Sequence, residues 1–133
     1  MYTTPIQLRF NDIDQMGHVN NAVIMEYFDL GKSLYFKDSG VPVTPDEGDF
    51  CVMIVHYELS FKKQIRYHDK VEVQTCVSRW GNKSFDLTQL CLCNGEVAVE
   101  GKIVMSGYSR SAHAAAPIPE EIKEMVTRFD QEN

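Results

Sequence analysis

Only one long segment of this chain has a helical hydrophobic period, and it is apolar around most of its circumference. Between Ala22 and Lys37, the residues Val23, Ile24, Tyr27, Phe28, Gly31, Leu34 and Tyr35 recur at steps of three and four, the spacing of one helix face. Met25, Leu30 and Phe36 widen the stripe. A helix this broadly apolar is expected to be surrounded rather than laid on a surface. Asn20 or Asn21 is placed to cap its first turn, and Asp38-Ser39-Gly40 closes its last.

The rest of the chain reads with period two, the signature of strands. Ile6, Leu8 and Phe10 alternate with Gln7 and Arg9. Val41 to Asp49 is a proline- and glycine-bearing loop, and Phe50 to Phe61 is rich in Val, Ile, Tyr and Phe. Val71, Val73, Thr75 and Val77 alternate with Glu72, Gln74, Cys76 and Ser78. Ser84 to Leu92 follows the turn signal Gly81-Asn82, with a slip near Gln89-Leu90 that suggests a bulge. Asn94-Gly95 is the strongest hairpin signal, and Val97, Val99, Ile103 and Met105 alternate beyond it. Ser109 to Pro119 is a small-residue linker before a short helix over Pro119 to Asp130.

One helix must therefore bury its wide face against one sheet. The simplest solution is an α+β domain spanning residues 1–133, in which a curved antiparallel sheet wraps around the central helix. The 133 residues suit one domain. The open sheet edges are expected to pair with a second copy.

Charge and composition narrow the function. A formal net charge of −6 disfavours a general attraction to nucleic acid or anionic lipid. No apolar run approaches the roughly 20 residues of a membrane span. The N-terminus lacks the basic start and apolar stretch of a secretory leader, so a cytoplasmic location is expected. Cys51, Cys76, Cys91 and Cys93 form no Cys-x-x-Cys pair and read as free thiols in a reducing compartment. No spacing suits a catalytic metal, and no cofactor is expected.

The chemistry concentrates in the connection before the helix, Asp12-Ile-Asp14-Gln-Met-Gly17-His18-Val-Asn20-Asn21-Ala22. A helix N-terminus offers free backbone N–H groups and a dipole that favours negative charge. Here it sits beside two carboxylates, a histidine and two amides. These residues either form turns and caps or assemble a catalytic carboxylate next to hydrogen-bond donors. Gly17 supplies a backbone shape closed to other residues. A serine triad is excluded by the lack of a Gly-x-Ser-x-Gly elbow.

"RFNDIDQMGHVNNA" followed by "YFDLGKSLYF" resembles the opening of the hotdog-fold acyl-CoA thioesterases of the 4-hydroxybenzoyl-CoA thioesterase type. "RYHDKVEV", "GNKSFDL" and "VAVEGKIV" extend the likeness more weakly, so that it covers Pro5 to about Tyr108. The resemblance implies a hotdog fold, a homodimer with composite active sites that pairs into a homotetramer, and hydrolysis of an acyl thioester with CoA as part of the substrate. It implies that Asp14 is the catalytic carboxylate, as base or nucleophile, and that the N–H of Asn21, or of neighbouring Asn20 or Ala22, holds the oxyanion. His18 either tunes Asp14 or contacts substrate, or is simply a hydrogen-bonded loop histidine, and Asn20 either orients water or only caps the helix. Asp12 holds the loop, and Glu26 on the helix is the second-choice carboxylate. His56 reads as a paired strand residue.

Lys62, Lys63 and Arg66 are the densest basic cluster. They read either as a solvated strand edge or as the site for the CoA phosphates, with Arg79 and Lys83 adding to it. Ser84 is a candidate contact contributed by the partner subunit. Acyl-ACP hydrolysis and non-catalytic acyl-CoA binding are the alternatives on the same fold.

Overall fold

The computed structural model describes residues 1–43 and 48–133. Strand β1 (Tyr2–Ile6) leads through a 3₁₀ turn at Phe10–Asp12 into helix α1 (Asn21–Ser39). Strands β2 (Phe50–Phe61), β3 (Val71–Trp80), β4 (Ser84–Cys93), β5 (Glu96–Ser109) and the short β6 (Ala114–Ala115) follow, then helix α2 (Glu120–Glu132). The antiparallel sheet runs β1-β3-β4-β5-β2, and β6 adds to β5 where β4 has ended. No helix of the described residues is long and apolar enough to cross a membrane. The four cysteines are free.

Helix α1 is bounded by the expected signals. The Asn20 side chain accepts from the Ala22 N–H, and Gly40, at φ 87°, donates its N–H to the Phe36 carbonyl. Ile24, Tyr27, Phe28, Gly31, Tyr35 and Phe36 are buried. The helix lies close on the sheet at Gly31, where an added Cβ would lie 2.6 Å from Val73 Cγ1. Gly31→Ala is therefore expected to destabilise the fold. Overpacking costs ~1–3 kcal/mol, and alanine's better helix propensity, ~1 kcal/mol, offsets only part of it. A urea melt should show a lower midpoint at unchanged slope.

Several expectations from the sequence need correction. Helix α1 is not surrounded within one chain. Met25 and Leu30 stay 38% and 47% exposed. The first strand lies earlier than Ile6 to Phe10. The Arg9 N–H donates to Asp12 Oδ2 at 3.1 Å, which closes a turn where the ladder would have continued, and Phe10 is left exposed. Pro5 is tolerated because β1 is an edge strand.

Strand β4 does not slip at Gln89. Gln89 keeps the core-facing phase of Phe85, Leu87 and Cys91, and is itself fully buried. Its amide donates to the Phe28 carbonyl and to Thr75 Oγ1, both at 3.0 Å. The polar residue breaks the hydrophobic pattern but not the pleat. The irregularity comes later, where Leu92 pairs with Val97 and Cys91 with Val99. Ala98 is the extra residue, so Val97 turns outward while Ala98 and Val99 are buried. The linker after Ser109 includes β6, and Pro119 is the N-cap of α2. Part of the loop expected over 41–49 lies outside the described residues.

Candidate active site

The connection before α1 is a tight loop built on a bridge between Ile13 and Val19. The Asp14 N–H donates to the His18 carbonyl at 2.8 Å, and the Gly17 N–H donates to the Asp14 carbonyl at 3.1 Å. Gly17 takes φ 80°, which only glycine adopts without strain. The loop is then sewn to its surroundings. The Val19 N–H donates to the Ile65 carbonyl at 2.7 Å and the Asn20 N–H to the Asp12 carbonyl at 2.9 Å.

The Asp14 carboxylate faces back into this loop with one oxygen. Oδ1 accepts from the Met16 N–H at 2.8 Å and more weakly from the His18 N–H at 3.4 Å. Among the described residues, Oδ2 has no hydrogen-bond partner. The carboxylate is thus oriented through one oxygen and free at the other.

The first turn of α1 distinguishes the three candidate donors. The Asn20 N–H is used by the Asp12 carbonyl, and the Ala22 N–H by Asn20 Oδ1 at 2.8 Å. Val23 and Ile24 donate to the Asn20 carbonyl. The Asn21 N–H meets no acceptor among the described residues. It is a free donor at the positive end of a 19-residue helix.

Asp14, His18, Asn20 and Asn21 line one cavity of about 800 Å³, together with Lys62 and Lys63. Val19, Ile24 and Phe61 form its apolar side, and Met16 and Gln64 complete it. Both lysines have acidic neighbours on β5: Lys63 Nζ lies 2.9 Å from Glu96 and Lys62 Nζ 4.0 Å from Glu100. The last five lining residues escaped the sequence reading. The signals for two were present, since Phe61 shares the alternation of β2 and Ile24 follows the helix start by one turn.

Other candidates lie elsewhere. Arg66 follows the two lysines but does not line the cavity; its backbone N–H donates to Asp69 Oδ2 at 2.8 Å. Ser84, Arg79 and Lys83 sit at the β3–β4 hairpin. Ser84 does not line the cavity. A role there would need the Ser84 of a second copy. Glu26 points away, toward Arg9 Nη2 at 3.6 Å. His56 pairs with Glu58 on the exposed part of β2.

Asp12 is structural. Its side chain is 2% exposed and accepts from the Tyr27 hydroxyl at 2.6 Å as well as from Arg9. Burial pushes this carboxyl upward, but the hydrogen bonds from Tyr27 and Arg9 and the guanidinium charge outweigh it and hold it below the usual range. Burial and the same carboxylate push the Tyr27 phenol up.

Residues 8–126 match the model of the thioesterase-like superfamily. A thioesterase from Thermus thermophilus, solved with coenzyme A and Zn, is 30% identical, with a TM-score of 0.81 over 97% of this chain and 93% of its own. A 1,4-dihydroxy-2-naphthoyl-CoA thioesterase from Synechocystis superposes with a TM-score of 0.84 over 97% of both chains, at 14% identity, a likeness of fold alone. The uncharacterised Bacillus subtilis protein YsmA is 23% identical over 122 residues, covering 91% of this chain and 82% of its own.

Proposed function

The chain belongs to the thioesterase-like superfamily and has its hotdog fold, and from that premise we propose that it hydrolyses an acyl-CoA thioester to the free acid and CoA. One observation carries the reading: a carboxylate with a free oxygen and a helix-start N–H with no acceptor open onto the same cavity as two lysines. The free Oδ2 of Asp14 takes a proton from the attacking water, or itself attacks the carbonyl carbon to give a mixed anhydride that water then hydrolyses; in both routes the C–S bond breaks and CoA leaves as the thiolate, which takes up a proton. In either route negative charge develops on the thioester oxygen, where the Asn21 N–H and the helix dipole stabilise it. His18 borders the carboxylate, and the Asn20 amide, whose oxygen caps the helix, has its nitrogen left to orient water.

Lys62 and Lys63 hold the nucleotide phosphates in this reading, displacing Glu96 and Glu100. Exposed ion pairs of this kind contribute about 1 kcal/mol or less, so phosphate competes well. The double substitution Lys62→Ala, Lys63→Ala is expected to raise KM for an acyl-CoA about tenfold, equivalent to ~1.4 kcal/mol, with kcat little changed. The corresponding acyl-N-acetylcysteamine, which lacks the nucleotide, should be indifferent to the change.

We further propose that a second copy pairs along the open edge of β2. Met53, Ile54 and Val55 are exposed there, and a long apolar edge calls for cover. This arrangement would bring the partner's surfaces to each cavity.

The test is thiol release from short, long and aromatic acyl-CoAs. Turnover supports the reading. Turnover only on acyl-ACP changes the carrier, and tight binding without turnover would replace catalysis by a binding role.

A further inference from the structure

The cavity is lined by two unlike sets of side chains. His18, Asn20, Lys62 and Gln64 carry hydrogen-bonding groups, while Val19, Ile24 and Phe61 are apolar. The polar set suits the amides and phosphates of the CoA arm and leaves the apolar set for the acyl group. Phe61 ends β2 and is 48% exposed; Ile24 stands one turn into α1 and is 3% exposed. A helical side chain leans over the turn that precedes its own Cα. Ile24 is therefore directed back toward Asn21, whose N–H is free among the described residues.

Behind Ile24 the molecule is closely packed. Ile24 and Val19 belong to one cluster with Phe28, Val73 and Val99. The last three are fully buried, and none of them lines the cavity. Further along α1, at Gly31, the helix lies so near the sheet that a Cβ would stand 2.6 Å from Val73 Cγ1. A carbon chain that reaches Ile24 cannot continue beneath the helix without parting close-packed side chains, and such interiors hold little spare volume.

We propose that Ile24 and Phe61 form the end wall of the acyl pocket, and that the substrates are thioesters of short acyl groups, about four carbons or fewer. This inference rests on the thioesterase reading and names the substrate class of that site. From Asn21 to Ile24 the helix rises ~4.5 Å, the length of roughly three bonds of about 1.5 Å. An acyl group whose carbonyl oxygen is held by the Asn21 N–H meets the wall about three carbons beyond the carbonyl. Up to the wall, each methylene buried improves kcat/KM by about fourfold. A longer chain turns out into solvent, where its further methylenes gain nothing.

The experiment is kcat/KM for acetyl-, butyryl-, hexanoyl- and octanoyl-CoA with wild type, Phe61→Ala and Ile24→Val, each checked by thermal unfolding. Wild type should improve at least about tenfold from acetyl- to butyryl-CoA and gain nothing beyond it. In Phe61→Ala the ratio of octanoyl- to butyryl-CoA activity should rise at least about tenfold, because the ring no longer closes the pocket. Ile24→Val sets the wall back by one carbon and should raise the ratio of hexanoyl- to butyryl-CoA activity about fourfold. Either variant carries the test should the other fail to fold. A wild-type optimum at hexanoyl- or octanoyl-CoA, or a limit at butyryl-CoA that neither variant extends, overturns the end wall and leaves the thioesterase reading standing. Hydrolysis of no thioester at any length overturns that reading, and the end wall with it.

Discussion

Asp14→Asn is expected to lower kcat for acyl-CoA hydrolysis at least about 100-fold, which is ~2.7 kcal/mol of transition-state stabilisation. KM should change little. The substitution is chosen because asparagine keeps an oxygen where Oδ1 accepts from Met16 and His18. The loop then holds its shape, and what is lost is the basicity and nucleophilicity of the free oxygen. Two measurements separate this from damage to the loop. Thermal unfolding should be unchanged, and the loss should persist in a single-turnover assay, where product release plays no part. An undiminished variant would remove Asp14 from the chemistry. Attention would then pass to Glu26, although that carboxylate is turned toward Arg9 and away from the cavity.

Much of this geometry was legible in the sequence, for reasons that differ from element to element. The bounds of α1 are set by local chemistry, an asparagine cap and a left-handed glycine, and local chemistry is written in adjacent residues. Strand β2 coincides with the Val-, Ile- and Tyr-rich run from Phe50 to Phe61. The polar connection could be located because its residue types have no other reason to crowd before an apolar helix. Long-range partners were not legible. Gln89 resembles a break in a strand until Thr75 and the Phe28 carbonyl are seen to receive its amide. Lys32 sits one turn from Phe28 and Phe36, and Tyr57, brought by folding, joins the local Asp29 in explaining a lysine there. Lys62, Lys63 and Arg66 form one cluster in sequence, yet only the two lysines line the cavity. The three choices for the oxyanion donor could not be ordered by spacing alone. Counting which N–H groups already have acceptors singles out Asn21.

Asp12→Ala tests the support beneath the site rather than the site itself. The expected loss is ~2–3 kcal/mol of stability. The Tyr27 hydroxyl, now buried without its acceptor, accounts for ~1–3 kcal/mol of that. The Arg9 contacts add less, because the Arg9 side chain is 66% exposed and its charge is well solvated. Denaturant melts at neutral pH should resolve the difference readily. The pH dependence provides the sharper check. Asp12 has its folded-state pKa depressed, so its contribution is fully present above the unfolded carboxylate value of about 3.9 and is lost as pH falls through the lower folded value. The gap between wild type and Asp12→Ala should be constant from neutral pH down to about 5 and shrink below about 4. A Tyr27→Phe, Asp12→Ala double variant removes both partners and should cost less than the sum of the single changes. If the gap were instead independent of pH, Asp12 would act by shape alone. In the present geometry it does more: its backbone carbonyl takes the Asn20 N–H while its carboxylate holds Tyr27 on the same helix. That double grip fixes where α1 begins, and so where the free Asn21 N–H stands relative to Asp14.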